Sequence, residues 1–472
     1  MADVLNASFS KHEALGVGEG TLAAIQKPGK PKGPLGSLRP LVLLTALRKT
    51  LSLVTLERAR EKFELYLSAS HAAFRKGRST SDIVWAHRWL AAKAIRYRKT
   101  LLVLGLDMSR AFDTIDRGRL MIILRDEGRL NEDELRMCQM LLADTNLKVK
   151  LKEAVSEPFE TTIGTPQGDG LSPILFAVYF ERAVRDIWEA LPPRPLCDSE
   201  LPTQMIFADD TDFPSHSKPY LEEAEKIVHF FFKKNSLTAN GDKWNRQAYS
   251  YEEDKWRKSK VLGSLMGDEE DVVKRMALAT VQFKSLEKVW GRVKSLKSRM
   301  NAYNAFVLPV LLFNAGAWGV CESVIKKIEV FHRKQLRRVL GVRWPFKISN
   351  KALYKKWGAK PLELAIRRFR WNLFGHVLRL SLDTPAQMAM DYYCNTKEDT
   401  KSRGRAVVTL PVLLFNEFHH YKCFKKSESK SKKPSTYKQK EATALRELRK
   451  LAGDRVVWAG FTKELCGVME KI

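Results

Sequence analysis

Two short apolar runs stand out in the sequence, Leu101-Leu-Val-Leu-Gly-Leu-Asp107 and Met205-Ile-Phe-Ala-Asp-Asp210, and each ends in aspartate. An uninterrupted apolar run of this length is typical of a strand that is buried on both faces. The residues from Thr211 to Phe213 continue with strand-forming side chains. The second run therefore predicts two strands that flank a tight acidic turn.

Helical patterns surround these predicted strands. Leu41 to Ala59 carries apolar residues at helical spacing, and Ser79-Thr-Ser-Asp82 offers N-cap oxygens to a second helix. Asp116 is a plausible cap for a third helix, with Gly128 where that helix could stop. From about residue 265 onward, long basic amphipathic stretches predict a helical domain.

A lysine-rich segment interrupts the C-terminal part of the chain. Between Lys422 and Lys440 there are eight lysines among serines, glutamine and one proline, and Glu428 is the only acidic residue. This composition favours a solvated, disordered linker, because it offers little apolar surface to bury. A last helix is predicted after it, from Glu441 to Leu451.

The charge balance points to a polyanionic partner. The 472 residues include 82 Lys and Arg against 54 Asp and Glu, which gives a net charge of +28. Such an excess attracts nucleic acid first and an anionic membrane second. The longest apolar stretch, Phe306 to Trp318, contains Pro309 and Asn314 and is too short to span a bilayer, so we expect no membrane partner.

The N-terminal residues and the cysteines indicate an intracellular protein. The first residues lack the pattern of a secretory signal, and the six cysteines are scattered without a CxxC pair. We therefore expect free thiols in a nuclear or cytoplasmic, reducing compartment, and no secretion. No zinc site is predicted, because no second pair of ligands accompanies His419, His420 and Cys423.

Aspartates at strand ends are the ligands that nucleotidyl transfer needs. That reaction uses two divalent cations, about 3.5–4 Å apart, to activate the attacking hydroxyl and to hold the triphosphate. Oxygen ligands from several carboxylates must converge on these ions. Asp107, Asp209 and Asp210 offer such ligands, although an aspartate after a strand is more often a turn former or a helix cap.

A series of motifs, taken in order, resembles the reverse transcriptases of non-LTR (LINE-like) retrotransposons. The resemblance covers roughly residues 22 to 460 and departs from the family at Phe207, Gly170 and Trp244, where Tyr, Pro and Thr are commoner. The matching segments are Lys27-Pro-Gly-Lys30 with Arg39-Pro-Leu-Val-Leu-Leu44, Phe74-Arg-Lys-Gly-Arg-Ser-Thr-Ser-Asp82, Asp107-Met-Ser-Arg-Ala-Phe-Asp113, Gly164-Thr-Pro-Gln-Gly-Asp-Gly-Leu-Ser-Pro173, Phe207-Ala-Asp-Asp210, Leu237-Thr-Ala-Asn240 with Lys243, Val261-Leu-Gly263, Gly375-His-Val-Leu-Arg379, Gly404-Arg405 and Ala452-Gly-Asp-Arg-Val-Val-Trp458.

The resemblance implies an RNA-directed DNA polymerase that extends a DNA primer on an RNA template with deoxynucleoside triphosphates. Two ions, Mg²⁺ or Mn²⁺, would be held by Asp107, Asp209 and Asp210. Phe112 would exclude a 2′-hydroxyl, with buried core as the alternative. Contacts to the incoming nucleotide would come from Lys27, Arg39, Met108, Phe112, Gln167, Gly168 and Lys243. Contacts to template–primer phosphates would come from Arg333, Lys334, Arg337 and Arg338, with a solvated helix face as the alternative.

The fold that this resemblance implies is α+β, a right-hand polymerase. The predicted divisions are an N-terminal segment 1–21, fingers 22–100, palm 101–264, a helical thumb and connection 265–395, and a basic C-terminal extension 396–472 with a disordered linker 422–440. Two other interpretations stay open. One is an intron-maturase-like reverse transcriptase, suggested by Gly164-Thr-Pro-Gln-Gly168. The other is a domesticated, non-catalytic RNA-binding protein that kept the fold.

Overall fold

The structure is a computed structural model, and its description covers most of the chain. The residues described are 2–11, 17–27, 29–106, 108–143, 145–151, 153–239, 245–342, 344–395, 407–428 and 441–471. Helices and strands are mixed along this length, so the predicted α+β class is confirmed.

The strands form two larger sheets and two small ones. Their bounds are β1 Glu19–Gln26, β2 Leu38–Leu44, β3 Leu101–Leu106, β4 Met108–Ser109, β5 Asn146–Leu151, β6 Ala154–Val155, β7 Phe159–Glu160, β8 Met205–Phe207, β9 Asp210–Ser215, β10 Thr238–Ala239, β11 Asn245–Tyr249, β12 Lys260–Val261 and β13 Ser264–Leu265. The first larger sheet has the order β2-β1-β5-β6, with β7 also paired to β5. The second, the palm sheet, has the order β11-β3-β9-β8.

Helices make up most of the remaining chain. Their bounds are α1 Ala2–Lys11, α2 Ala46–Tyr66, α3 Thr80–Tyr97, α4 Arg117–Asp126, α5 Glu132–Ala143, α6 Ser172–Ala190, α7 Lys218–Lys234, α8 Asp268–Ser285, α9 Glu287–Arg292, α10 Leu296–Ala302, α11 Leu308–Leu311, α12 Glu322–Val339, α13 Asn350–Trp357, α14 Leu362–Leu378, α15 Pro385–Cys394, α16 Leu410–Glu428, α17 Glu441–Gly453 and α18 Arg455–Lys471. No helix in the described ranges is long and apolar enough to cross a membrane.

The palm sheet is buried on both faces, as the apolar run at 101–106 predicts. Side chains of a strand alternate between faces. Leu104 and Leu106 accordingly belong to the core formed with α4 and α6, whereas Leu101 and Val103 belong to the core formed with α3. Because both faces are covered, polar side chains can reach a ligand only at the ends of the strands, such as the hairpin between β8 and β9.

Helix caps follow the sequence prediction closely. Ser79 and Asp82 form a capping box at the start of α3. The Asp116 carboxylate accepts a hydrogen bond from the Arg119 amide at the start of α4, at 3.0 Å. The helix predicted from Leu41 is wrong for its first residues, because Leu41 to Leu44 lie in β2 and pair with β1 before α2 begins.

The C-terminal region packs against the rest of the molecule. Trp89 of α3 contacts Phe374, Tyr393 and Phe415, with ring centroids 6.3, 5.3 and 6.0 Å away. Leu448 of α17 lies in the same core. These helices therefore cover the face of α3 that points away from the palm sheet.

The prediction of a disordered linker over 422–440 is wrong for its first residues. Helix α16 continues to Glu428, and the Lys422 ammonium pairs with the Glu447 carboxylate of α17 at 2.7 Å. Residues 429–440 lie outside the described residues. The chain after the last predicted helix is also helical and forms α18, which places Trp458 in the core. The lysines at the start of the predicted linker therefore belong to α16, whose apolar residues Leu410, Leu414 and Phe418 are buried.

Candidate active site

A tight hairpin carries two of the predicted metal ligands. Phe207 of β8 pairs with Asp210 of β9, so Ala208 and Asp209 form the connecting turn. Ala208 has a φ of 57°, in the left-handed region that a two-residue hairpin turn uses. The side chains of Asp209 and Asp210 are half-buried. The predicted pair of strands around an acidic turn is confirmed.

The third predicted ligand, Asp107, lies outside the described residues. Its neighbours in the chain are described. Leu106 at the end of β3 pairs with Thr211, the residue after Asp210, and Met108 pairs with Ala239 of β10. Asp107 therefore directly follows, in the sequence, the strand β3 that pairs with β9 of the acidic hairpin.

A loop before α6 lies next to the segment between β4 and α4. The Gly164 amide donates to the Ile115 carbonyl at 2.8 Å, and the Thr165 amide donates to the Phe112 carbonyl at 2.9 Å. A Cβ on Gly164 would meet backbone atoms of Asp113 at 2.9 Å. Only glycine permits this approach, so the loop is held against the segment that follows Asp107.

Gln167 in this loop is fixed by two contacts. Its carbonyl accepts a hydrogen bond from the Val42 amide of β2 at 2.7 Å. Its side-chain amide donates to the Asp113 carboxylate at 3.0 Å. Burial raises the pKa of the Asp113 carboxyl, and the hydrogen bond from Gln167 and the charges of Arg110 and Lys27 partly offset that rise. Gln167 is thus held at the junction between β2 and the palm.

Gly168 is required by the protein's own backbone. Its φ is 129°, and a Cβ at this position would lie 2.4 Å from the Val42 carbonyl oxygen. The resemblance to reverse transcriptases implies that Gly168 contacts the incoming nucleotide, and this role stays a prediction. The structure shows that Gly168 approaches β2 closely, so the loop and the strand are packed directly against each other.

A buried ion pair anchors the same loop to α2. The Arg48 guanidinium lies 3.4 Å from the Asp169 carboxylate, and both side chains are buried. Arg48 also donates to the Leu141 carbonyl of α5. Leaving either charge unpaired in this position would be costly. This pair was missed by sequence reasoning, since one arginine among 82 basic residues carries no pattern of its own.

Phe112 is partly buried and partly accessible. Its ring centroid lies 4.8 Å from that of Phe176 and 6.2 Å from that of Phe74. It belongs to the edge of the palm core, not to its centre. The arrangement is compatible with both interpretations of the sequence, and the role of Phe112 as a sugar gate stays a prediction.

The other predicted nucleotide contacts lie in different environments. Lys27 is half-buried, and its ammonium donates to the Gly36 carbonyl at 3.1 Å. Arg39 is exposed on β2, opposite Ile25. Met108 is buried in the palm core, so only its backbone is available to a ligand. Lys243 lies outside the described residues.

A buried polar network connects α3 to the strand of the acidic hairpin. The His87 ring is hydrogen-bonded to the Asp212 carboxylate at 3.1 Å and to the Tyr249 hydroxyl at 2.7 Å. Asp212 lies two residues after Asp210, on the same face of β9. It pairs directly with Gly105 of β3, which has no side chain to occupy this space. The network fixes β9 against β11 and α3 behind the hairpin.

Sequence reasoning missed this network. His87 follows apolar residues in a predicted helix, and a lone histidine on such a face is usually a satisfied core residue. Asp212 falls in a stretch that was interpreted only as a strand. The one available signal was the alternation of Asp210, Thr211 and Asp212, which places two carboxylates on one face of a strand.

The four predicted phosphate contacts on α12 divide into two pairs. Lys334 and Arg338 are exposed and lie one helical turn apart. Arg333 is paired with Glu329 at 3.3 Å, and Arg337 donates to the Ile348 carbonyl at 3.2 Å and to the Asn350 side chain at 2.7 Å. The first pair presents its charge to solvent, while the second is engaged within the protein.

The acidic hairpin has the right donors for a divalent cation but does not complete a site by itself. Carboxylate oxygens are the ligands that Mg²⁺ and Mn²⁺ prefer. Within the described ranges, no group of three or more His, Cys, Asp or Glu side chains could hold a metal ion. Asp209 and Asp210 therefore require a further carboxylate, and the resemblance to reverse transcriptases assigns this role to Asp107, which lies outside the described residues.

A sequence model of the family "Reverse transcriptase (RNA-dependent DNA polymerase)" matches residues 25–264. Two curated relatives from Drosophila melanogaster are similar to this chain. The "Probable RNA-directed DNA polymerase from transposon X-element" is 24% identical over 358 residues, which is 69% of this chain and 38% of that protein. The "RNA-directed DNA polymerase from mobile element jockey" is 23% identical over 429 residues, 81% of this chain and 44% of that protein.

The chain thus spans less than half the length of these curated relatives. Among solved structures, the apo telomerase of Candida tropicalis is similar at 14% identity and a TM-score of 0.45, covering 80% of this chain and 64% of that chain. A telomerase of Candida albicans, solved with an RNA fragment, is similar at 12% identity and a TM-score of 0.44, covering 84% and 66%.

Proposed function

The chain belongs to the reverse transcriptase family, and we propose that it is an RNA-directed DNA polymerase of the non-LTR retrotransposon type. It would extend a DNA primer on an RNA template with deoxynucleoside triphosphates. The observation that carries this proposal is the acidic hairpin, with Asp209 in its two-residue turn and Asp210 at the start of β9. The hairpin lies beside Leu106, the last residue of β3 and the residue before Asp107 in the sequence. The family match covers this hairpin and the loop at Gln167.

Metal binding is proposed for the three aspartates. Asp107, Asp209 and Asp210 would hold two divalent cations, Mg²⁺ or Mn²⁺, which activate the attacking hydroxyl and stabilise the triphosphate when bound. The contribution of the protein is to keep the carboxylates fixed. Burial of the palm sheet on both faces and the hydrogen bond from His87 to Asp212 restrain the strand that bears Asp210.

Nucleotide positioning is proposed for the junction between β2 and the palm. Gln167 is held by Val42 on one side and by Asp113 on the other, so its position is fixed before a ligand arrives. Preorganisation of this kind lowers the cost of binding. Arg39 on β2 is exposed and can pair with the triphosphate, and Lys27 is close enough to Asp113 to affect its pKa.

Template–primer contacts are proposed for the exposed basic residues of α12. Lys334 and Arg338 are available to phosphates, whereas Arg333 and Arg337 already have partners in the protein. Phosphate contacts position a nucleic acid without reading its sequence. The net charge of +28 supports the same role by steering a polyanion towards the chain.

A primer-extension assay tests this function directly. The full chain is incubated with a DNA primer annealed to an RNA template, all four deoxynucleoside triphosphates and Mg²⁺ or Mn²⁺. We expect a DNA product complementary to the template, and no product when the template is omitted or the cation is chelated. Tight binding of the annealed template without extension would instead support the non-catalytic RNA-binding alternative.

A further inference from the structure

The loop between α12 and α13 presents two large aromatic side chains to solvent. Trp344 and Phe346 are 88% and 80% exposed, and Pro345 between them is exposed as well. We refer to residues 344–349 as the aromatic loop. Among the described tryptophans, Trp344 alone is exposed, and the others are buried or half-buried. Two such rings in one short loop make it a candidate contact site, since isolated exposed apolar residues are common but grouped ones are not.

The charge around this loop has a single sign. From 330 to 362 the sequence contains ten Lys and Arg and no Asp or Glu. Lys347 and Lys351, which follow the two rings in the sequence, are exposed, as are Lys334 and Arg338 on α12. Earlier on the same helix the pattern differs, because exposed Lys326 pairs with Glu322 at 2.7 Å. The aromatic loop therefore lies in a stretch of chain whose exposed charged residues are all Lys or Arg, and we refer to these exposed residues as the cationic surface.

We propose that the aromatic loop is a binding site for single-stranded nucleic acid. Bases would stack on Trp344 and Phe346, while Lys347 and Lys351 contact the phosphates beside them. Stacking platforms of this kind bind single strands with little sequence preference, because every base has a flat face. The site goes beyond the proposed polymerase activity and does not depend on it, since binding requires neither nucleotide nor metal.

The combination of rings and charges favours a single strand over other anionic partners. In a duplex the base faces are stacked on each other, so only phosphates reach the protein and the rings have no role. An acidic protein segment would pair with the lysines, but it has no flat, electron-rich surfaces to stack on both rings. A single strand uses both features of the loop at once.

The test measures binding of a short oligothymidylate and of a blunt duplex of equal length, without nucleotides or divalent cations. The double substitution Trp344→Ala/Phe346→Ala should weaken single-strand binding by about tenfold per ring, which corresponds to about 1.4 kcal/mol each. Duplex affinity should be unchanged. Phe230→Ala on α7 is the matched control, because Phe230 is also an exposed aromatic residue, 64% exposed, outside this cationic surface.

Two further variants separate stacking from charge. Trp344→Phe keeps a ring and should retain most of the affinity, whereas Lys347→Gln should lower the salt dependence of log K by roughly 0.7 per lost phosphate contact. Quenching of Trp344 fluorescence by the oligonucleotide should accompany binding. The proposal is overturned if the aromatic double variant binds the single strand as tightly as wild type, if it weakens the duplex equally, or if polyglutamate competes as well as the oligonucleotide.

Discussion

At the residue scale, Phe112 connects the palm core to the side of the chain where a nucleotide is proposed to bind. Its ring packs on Phe176 but stays partly accessible. If it blocks a 2′-hydroxyl, Phe112→Val should raise the incorporation of ribonucleotides relative to deoxyribonucleotides. The measurement is the ratio of kcat/KM for the two sugars, which cancels a uniform loss of active enzyme.

The confounding effect at Phe112 is core damage. Truncating a partly buried phenylalanine to valine costs roughly 2–3 kcal/mol of stability and depresses all activity together. Phe112→Tyr keeps the ring and should leave the sugar ratio as in wild type. If the ratio of kcat/KM for the two sugars is unchanged in a folded, active Phe112→Val variant, Phe112 only packs in the core and does not select the sugar.

Gly168 gives a second residue-scale prediction. Gly168→Ala should destabilise the chain by about 1–3 kcal/mol and reduce polymerase activity, because the new Cβ collides with the Val42 carbonyl and the φ of 129° is strained for alanine. Gly33→Ala is the matched control, since Gly33 has a φ of 113° but no atom within 4 Å of the added Cβ. Chemical denaturation of both variants separates backbone strain from collision. If both variants lose the same free energy of unfolding, the close contact of Gly168 with β2 does not contribute to stability.

Residues with a chemical pattern could be predicted from the sequence, and residues that act through contacts could not. Asp209 and Asp210 were found because an apolar run stops at a doubled carboxylate. Asp113 is the last residue of the motif that begins at Asp107, yet its hydrogen bond to Gln167 depends on how a loop distant in sequence packs. Arg48 and Asp169 are 121 residues apart, and nothing local connects them.

At the element scale, α12 contains a histidine that makes folding sensitive to acid. Burial, with the charge of Arg333 as a smaller cause, lowers the pKa of His332 from 6.5 to about 4. Its ring lies between the aromatic residues Tyr303 and Tyr354, and it is hydrogen-bonded to the Tyr303 hydroxyl at 2.9 Å. Between these two pKa values the unfolded chain binds a proton that the folded chain does not.

The consequence is a loss of stability as the pH falls. Lowering the pH from 6.5 to 4 should destabilise wild type relative to His332→Gln by about 3 kcal/mol, because the slope is about 1.4 kcal/mol per pH unit over the window. The comparison with the variant is needed because carboxylates titrate over the same range. Chemical denaturation of both proteins at several pH values gives the difference, and parallel curves would contradict this role of His332.

Elements with a strong local signal could be predicted, and elements that depend on context could not. The run at 101–106, the capping box at Ser79 and the cap at Asp116 each specify their own element. Leu41 to Leu44 has helical spacing but pairs with β1, because backbone pairing in a sheet outweighs a short local pattern. Lys422 to Glu428 looks like a linker, but the helix before it continues and pairs with α17.

At the scale of the whole molecule, the positive charge predicts salt-dependent binding of an annealed template and primer. Log K should fall by roughly 0.9 per neutralised duplex phosphate per log unit of salt. Lys334→Gln and Arg338→Gln should each reduce the magnitude of this slope by about 0.9, the contribution of one phosphate contact. Lys326→Gln on the same helix is the control, because Lys326 is already paired with Glu322. A slope near zero in wild type would contradict phosphate tracking.

The whole-molecule arrangement was the part of the fold least accessible from sequence. The pattern from residue 265 onward predicts helices, but it does not predict that α14 to α17 cover α3. That contact depends on Trp89, Phe374 and Phe415, which come from three separate parts of the chain. The resemblance to reverse transcriptases is confirmed by the family match, whereas the boundaries of fingers, palm and thumb stay predictions.

The most direct test of the central claim is single-nucleotide incorporation by Asp209→Asn. This change removes a charge from the turn of the acidic hairpin and little packing. We expect kcat/KM to fall by at least roughly 10³-fold, about 4 kcal/mol of transition-state stabilisation, with folding and template–primer affinity nearly as in wild type. Asp254→Asn, at an exposed carboxylate, should leave incorporation unchanged. Substantial incorporation by the folded Asp209→Asn variant would contradict the assignment of this hairpin as the catalytic centre.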